Sequence, residues 1–252
     1  MFLLVDAGNS RIKWCVWHEG AQRSGVVQIS EDVFTAGAWA LQLGEELVSS
    51  VGAIYVSSVR GDAFRLSFDA FCLDLFNVLP IYASVDSDNY GVRVGYSDPS
   101  LLGVDRWLAM LAAYRGSAEG VVVIDAGTAI TVDYVDSCGD HLGGLIVPGV
   151  QAMASSLLIN TREISIESLT LPQIWGPGCD TLSCVEQGVA ASLKGLMAEV
   201  VACAHRISPP GSTATIYLTG GDASILKSWL PSGVVVEPLL VFHGLLLSQK
   251  LG

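Results

Sequence analysis

Apolar residues along this chain fall into two kinds of run. Short stretches dominated by Val, Leu and Ile, at 2–7, 12–17, 24–29, 53–58, 121–126, 129–135, 141–147 and 215–219, predict β-strands covered on both faces. Elsewhere helices are predicted over 36–49, 62–76, 106–115, 150–159, 181–206 and 222–230. Within 181–206, Val185, Val189, Leu193, Leu196 and Val200 recur at spacings of three or four and form one apolar stripe. Gly188 and Gly195 sit seven apart on that helix, a spacing that lets another helix approach closely. Strands and helices mixed in this way make an α/β fold.

The pattern repeats. Residues 3–17 read LLVDAGNSRIKWCVW and residues 122–136 read VVIDAGTAITVDYVD. Each is an apolar strand ending in Asp-Ala-Gly, then small polar residues, then a second strand. Asp6 matches Asp125, Gly8 matches Gly127 and Asn9 matches Thr128, all at an offset of 119. That is nearly half the chain, so two similar domains are expected, 1–117 and 118–252, with a seam at Arg115-Gly116-Ser117.

Composition narrows the partners. The 252 residues are 51% apolar and 15% charged, with a net charge of −12. Charge below the roughly 25% of ordinary soluble domains, with ample apolar content, excludes disorder. The acidic balance argues against a surface for nucleic-acid phosphates. Mean hydropathy of +0.50 raises the membrane question. The greasiest stretch, Val234 to Leu247, is broken by Glu237, Pro238 and His243, short of the roughly 18 residues a span needs. The opening MFLLVDAG has no basic region and no cleavage site, so a soluble, cytoplasmic protein without membrane contact is expected. Cys15, Cys72, Cys138, Cys179, Cys184 and Cys203 are scattered, mostly in apolar segments, and are expected to be free thiols. Cys138 with His141 and Cys179 with Cys184 lack the second pair that a zinc site needs.

The repeated turn carries the candidate chemistry. An Asp closing a buried strand is delivered to the end of the sheet. Gly8 lets the backbone turn tightly and present N–H groups to an anion. Asn9 and Ser10 add short polar groups, and Lys13 on the returning strand adds a point charge. A carboxylate, a glycine turn, a hydroxyl and a lysine are the parts a metal–phosphate complex requires. An ordinary hairpin uses the same turn residues; two copies, each able to hold one side of a polyphosphate, favour the phosphate site. Lys13, between Ile12 and Trp14, needs a partner, either Asp6 or a bound phosphate.

These motifs make the chain resemble the type III pantothenate kinases, within the actin-like and sugar-kinase ATPase superfamily; close relatives include Bvg accessory factors. The resemblance covers essentially the whole length. The pattern D-x-G-N-[TS]-x-x-K stands as Asp6, Gly8, Asn9, Ser10 and Lys13. G-x-D-R is Gly103, Val104, Asp105 and Arg106, preceded by Tyr96. The second phosphate pattern runs through Asp125, Gly127, Thr128, Ala129, Thr131 and Asp133, followed by Gly143, Gly144, Ile146, Pro148 and Gly149.

The resemblance implies two actin-like (ribonuclease H-like) domains with a nucleotide cleft between them, and phosphorylation of pantothenate by ATP. It implies ATP contacts across Asp6, Ala7, Gly8, Asn9, Ser10, Arg11, Ile12 and Lys13, and at Thr128, Gly220 and Gly221. Asp105 is implied as the catalytic carboxylate, and Arg106 as the clamp on the pantothenate carboxylate. Tyr96, Gly103, Val104 and Thr181 would also touch substrate, Thr181 from the partner of a homodimer. Mg²⁺ is implied on the phosphates and waters with Asp6 in its outer shell. A monovalent cation, K⁺ or NH₄⁺, is implied at Asp125, bound directly or through an oriented water.

Plainer readings stand beside these. Asp105 could serve the first turn of a helix, Arg106 a salt bridge, and Asp133 the strand alone. GCDTLSCVEQG departs from the family pattern N-T-x-x-A-I-x-x-G at Asp180 and Cys184, and Asp180 or Thr181 would also suit a helix N-cap. Two other functions use the same residues. One is a nucleotide-sensing accessory protein without turnover, against which Asp105 and Lys13 speak. The other is a kinase for a different small molecule, against which only Tyr96, Asp105, Arg106 and Thr181 speak.

Overall fold

The computed structural model describes residues 1–18, 21–28, 39, 43–86, 90–115, 117–158, 171–172 and 176–249. Contacts divide the chain into two units: Met1–Tyr90 with Asp98–Ala112 and Leu240–Gly252, and Gly91–Ser97 with Ala113–Leu239. The chain passes from one unit to the other at 90/91, 97/98, 112/113 and 239/240, and Gly116 of the expected seam lies outside the described residues. The segment from Leu240 onward returns to the first unit, and a short piece before the G-V-D-R motif goes with the second.

The first unit holds β1 (Phe2–Ala7), β2 (Arg11–His18), β3 (Ala21–Gln28), β4 (Ala53–Ser58) and β5 (Ile81–Tyr82). Their order is β3-β2-β1-β4-β5, with β1 to β3 an antiparallel meander and β4 and β5 parallel to β1. Side chains alternate across a strand, so Leu3, Val5, Ala7, Ile12, Trp14, Val16, Ile54 and Val56 share one face. They pack against Phe64, Phe68, Phe71 and Phe76 of α2 (Asp62–Phe76), which follows α1 (Glu45–Ser50). Emptying the Phe68 site with Ala would cost about 3–5 kcal/mol. Trp14 fits because its cross-strand partner is Gly25, where a Cβ would lie 2.5 Å from the indole.

A 3₁₀ turn at Pro99–Leu101 leads into α3 (Val104–Tyr114), and α7 (Leu240–Ser248) packs on β1 and β4. His243 of α7 meets Trp17 edge-on, with ring centroids 6.0 Å apart. Gly244 lets α7 approach α3 closely, since a Cβ there would come within 1.9 Å of the Leu108 carbonyl oxygen.

The second unit repeats this order with β6 (Val121–Ala126), β7 (Ala129–Val135), β8 (His141–Pro148), β9 (Thr215–Thr219) and β10 (Val235–Val236). Its sheet runs β10-β9-β6-β7-β8, the first sheet's order listed from the other edge. One face, with Val122, Ile124, Ala126, Ile130 and Val132, buries Val189, Leu193, Met197, Val200 and Ala204 of α5 (Thr181–Arg206). α4 (Val150–Leu158) and α6 (Ala223–Lys227) complete the unit.

Strands β1, β4, β6, β7 and β9 and helices α2 and α5 have the bounds the sequence predicts. Of the helix expected over 36–49, residues 36–38 and 40–42 lie outside the described residues, as do Ile29 and Ile159 at the ends of two other expected elements. The helix expected over 222–230 ends at Lys227. Gly188 and Gly195 face open space; the close helix approach within the chain is at Gly244 instead.

The six cysteines are free, but only Cys15 and Cys72 are buried, so the expected interior role holds for two of them. Burial pushes the Cys15 thiol up to about 11. No helix among the described residues is long and apolar enough to cross a membrane.

Candidate active site

The first turn is built by strand register. Asp6, at the end of β1, lies opposite Lys13 on β2 and Ser57 on β4, so all three share one face of the sheet. Asp6 is only 8% exposed, and the buried Ser57 hydroxyl donates to its Oδ1 at 3.1 Å. Lys13 is half-buried. The last ladder pair is Ala7 with Ile12, leaving Gly8, Asn9, Ser10 and Arg11 as the tip. The Gly8 N–H donates to the Arg11 carbonyl at 3.1 Å and closes it, with Asn9 and Ser10 exposed.

G-V-D-R sits at the start of α3. Asp98 caps the preceding 3₁₀ turn, accepting from the Ser100 N–H at 3.0 Å and its hydroxyl at 2.7 Å. Asp105 is in the first helical turn, half-buried, and its Oδ1 accepts the Arg106 backbone N–H at 2.8 Å. Glycine at 103 makes room for that carboxylate, because a Cβ there would stand 2.6 Å from the same oxygen. Arg106 is buried. The helix-start reading of Asp105 therefore holds in the structure, and it leaves the carboxylate partly open.

A pocket of about 470 Å³ in this unit reaches Gly103 and Val104 and is also lined by Ser58, Arg60, Ser84 and Ser100. None of these last four was singled out from sequence. Their only signal is position, since Ser58 ends β4, Arg60 follows two residues later and Ser84 comes just after β5.

The second turn is one residue tighter. Its last ladder pair is Ala126 with Ile130, leaving Gly127, Thr128 and Ala129 as the tip, with the Gly127 N–H donating to the Ala129 carbonyl at 3.0 Å. The offset of 119 therefore holds through Thr128 and slips to 118 at Ile130. Asp125 lies opposite Thr131 and Thr219, so a threonine stands where the first turn has Lys13. Thr128 is exposed, and its carbonyl accepts the Gly149 N–H at 2.9 Å. Gly220, at φ +94°, packs against this strand end; a Cβ there would lie 2.5 Å from Asp125 Oδ1 and 2.4 Å from the Ala126 carbonyl. Gly221 is exposed beside it.

Tyr96 belongs to the second unit, although Gly103 to Arg106 belong to the first. Its ring stacks on His141, with centroids 5.9 Å apart. Thr181 is exposed at the first position of α5, and Asp180, not Thr181, is the cap. The Asp180 carboxylate accepts the Ser183 N–H at 2.9 Å while the Ser183 hydroxyl meets the Asp180 N–H, a reciprocal capping box. The Ser183 N–H first, and then its hydroxyl, which donates to Oδ2 at 2.9 Å, hold the Asp180 carboxyl below its ordinary value. Asp133 does more than fill its strand: its Oδ1 lies 3.0 Å from Nε2 of buried His141.

Two sheets of one strand order, each entered through an Asp-x-Gly hairpin, are the fold of the actin-like ATPases and sugar kinases. Solved structures bear this out. A conserved Baf family protein from Campylobacter jejuni has a TM-score of 0.58 at 23% identity, covering 98% of this chain and 97% of its own. An activator of 2-hydroxyisocaproyl-CoA dehydratase from Clostridium difficile, solved with bound ADPNP, has a TM-score of 0.53 at 13% identity, covering 99% and 95%. The family model for type III pantothenate kinase matches residues 2–203. A type III pantothenate kinase from Teredinibacter turnerae is 41% identical over 255 residues, spanning 100% of this chain and 99% of the relative. The chain belongs to the type III pantothenate kinase family.

Proposed function

We propose that this chain transfers the γ-phosphoryl group of ATP to the hydroxyl of pantothenate, giving 4′-phosphopantothenate, the first step of coenzyme A biosynthesis. The observation that carries this reading is the full-length family match together with an unbroken G-V-D-R at the start of α3. Asp105 accepts or orients the proton of the attacking hydroxyl as it meets the γ-phosphorus. Arg106 offers its guanidinium to the pantothenate carboxylate. Tyr96, Gly103, Val104 and Thr181 complete the acceptor contacts.

The first turn handles phosphate. The exposed tip residues Asn9, Ser10 and Arg11 offer polar groups to phosphate, Asp6, Ala7, Gly8 and Ile12 shape the turn beneath them, and Lys13 neutralises phosphate charge. Thr128 contributes a hydroxyl, and Gly220-Gly221 a side-chain-free surface for the adenine ring. With a net charge of −12, long-range attraction cannot recruit ATP, so these local donors must hold it.

A divalent metal accompanies ATP in a kinase, and we assign it as Mg²⁺. Mg²⁺ keeps several of its waters and binds chiefly to phosphates, with one nearby carboxylate. Asp6, a nearly buried strand-end carboxylate with Oδ1 fixed by Ser57, fits that outer-shell place. Asp125, flanked by Thr131 and Thr219, fits a K⁺ or NH₄⁺ ion, which neutral oxygens and one carboxylate suit. Bound there, such cations offset phosphate charge.

A homodimer in the cytoplasm completes the reading. Cys184, Gly188, Ala191, Gly195 and Ala198 of α5 are exposed at alternating spacings of four and three, a face flat enough for a second helix. The test is mass-spectrometric detection of phosphopantothenate from purified protein, ATP, Mg²⁺, K⁺ and pantothenate, with Asp105→Asn alongside. Product from wild type alone is expected. Equal product from both would remove Asp105 as the base, and no product from folded, ATP-binding protein would leave a nucleotide sensor.

A further inference from the structure

The second sheet hides a polar pair that the phosphoryl-transfer chemistry does not use. Asp133 on β7 is 1% exposed and His141, the first residue of β8, is 2% exposed, with Asp133 Oδ1 3.0 Å from His141 Nε2. A polar side chain buried this far needs hydrogen-bond partners, and the imidazole supplies one. Assigning the proton to Nε2 makes the ring a donor to the carboxylate.

A register break makes the pairing possible. Tyr134 pairs with Gly143 but Val135 pairs with His141, so Leu142 is an extra residue on the β8 side. This bulge turns His141 onto the face that carries Val135 and Asp133, the same face as Asp125 and Thr131. Leu142 is turned out and exposed.

The other side of the imidazole is covered by Tyr96, nearly parallel at 16°. The loop carrying Tyr96 is fastened to the same hairpin. Arg93 N–H donates to the Gly139 carbonyl at 2.8 Å, and His141 N–H donates to the Arg93 carbonyl at 2.9 Å. Arg93 Nε also meets Asp140 Oδ1 at 2.6 Å. At Gly95 the backbones are so close that a Cβ would fall 1.9 Å from the His141 carbonyl oxygen. Backbone bonds and the ion pair thus fasten the loop at Arg93, the close approach at Gly95 leaves it no slack, and the ring stack meets Tyr96 itself.

We propose that His141, held by Asp133, is a positioning residue that fixes the Tyr96 ring and through it sets the affinity for the acceptor substrate. This rests on the reading above that Tyr96 touches pantothenate. A merely structural pair would lower stability and leave the Michaelis constants alone; a positioning pair splits them.

The test compares Tyr96→Ala, His141→Gln and Gly95→Ala, plus the Tyr96→Ala/His141→Gln double variant, in steady-state kinetics with thermal denaturation alongside. His141→Gln keeps an N–H for Asp133 but removes the ring under Tyr96. Gly95→Ala drives a Cβ into the His141 carbonyl and displaces the Tyr96 loop from the hairpin while keeping both the imidazole and the Asp133 carboxyl in the chain. Each single variant is expected to raise KM for pantothenate about tenfold, with KM for ATP and kcat within about twofold. The double variant should be no worse than Tyr96→Ala alone, because the effects share one route. If Tyr96→Ala raises KM while folded His141→Gln and Gly95→Ala leave it unchanged, the positioning role is overturned and the substrate role of Tyr96 stands. Multiplying effects in the double variant also overturn it. Unchanged KM in Tyr96→Ala removes both. Should His141→Gln fail to fold, Gly95→Ala decides.

Discussion

The two Asp-x-Gly hairpins start from the same residues and end in different chemistry. In the first, a tip of four residues brings Lys13 opposite Asp6, and Ser57 flanks it from β4. In the second, a tip of three brings Thr131 opposite Asp125, and Thr219 flanks it from β9. Successive strand residues face opposite ways, so the length of a turn decides which side chain stands beside the carboxylate. A carboxylate with a lysine at the facing register position suits phosphate with a hydrated divalent ion. A carboxylate beside two threonines and the Gly220 backbone suits a weakly charged cation. One supersecondary unit used twice thus carries two different side-chain sets, through loop length and one charged residue, and the two tasks proposed above rest on that difference.

The largest expected effect tests that division. Lys13→Met should lower kcat by roughly 10²–10³, the loss typical of removing one preorganised charge donor. Thr131→Val, at the equivalent place, should lower kcat less than about tenfold. Steady-state rates at saturating ATP and pantothenate measure both. Equal losses would mean that the two turns do the same work.

Backbone geometry gives the next contrast. Gly220→Ala forces a side chain to a positive φ and into the Ala126 carbonyl, for roughly 2–4 kcal/mol in urea denaturation. At Gly8 a Cβ would stand 3.3 Å from the Arg11 carbonyl, and Gly8 is not among the positive-φ glycines, so Gly8→Ala should cost about 1 kcal/mol or less. A smaller effect should separate the two carboxylates. Asp125→Asn is expected to raise the K⁺ concentration for half-maximal rate about tenfold and leave KM for pantothenate unchanged, whereas Asp6→Asn should alter the Mg²⁺ dependence. Titrations of rate against each cation distinguish them.

Much of this was legible in the chain because it depends on local order. Unbroken apolar runs located β1, β4, β6, β7 and β9, and the stripe from Val185 to Val200 located α5. Asp6, Gly8 and Lys13 could be read as one constellation because a hairpin keeps sequence neighbours together. Helix α7 escaped because it is buried at Leu240, Val241, Phe242, Leu245 and Leu246, on every side, and so shows no stripe. Two-residue strands such as β5 and β10 are too short for any period to register. Ser57 joins Asp6 from 51 residues away, through a pairing that only the folded sheet creates. His141 stands three residues after Cys138, a spacing that suggests a metal pair; its partner in the fold, Asp133, depends on a bulge at Leu142 that no spacing rule reveals.

The smallest contrast concerns helix starts, one in each unit. Asp98 caps the turn that leads to G-V-D-R, and Asp180 caps α5 beside Thr181. Ser100, first through its hydroxyl and then its N–H, holds the Asp98 carboxyl below its ordinary value; Ser183 does the same for Asp180, backbone first. A depressed carboxyl favours folding above its unfolded value, and that contribution disappears as pH falls through the folded one. Both caps should therefore work fully at neutral pH and weaken only below the usual carboxylate range. Hydrogen exchange at the Ser100 and Ser183 amides should quicken there relative to the β6 interior, after correction for intrinsic rates. Asp98→Ala and Asp180→Ala should each abolish the acid-dependent step at their own site and leave the other. Because Asp180 is joined by a reciprocal Ser183 bond to its own N–H, its α5 amide should stay protected to lower pH than that of Ser100.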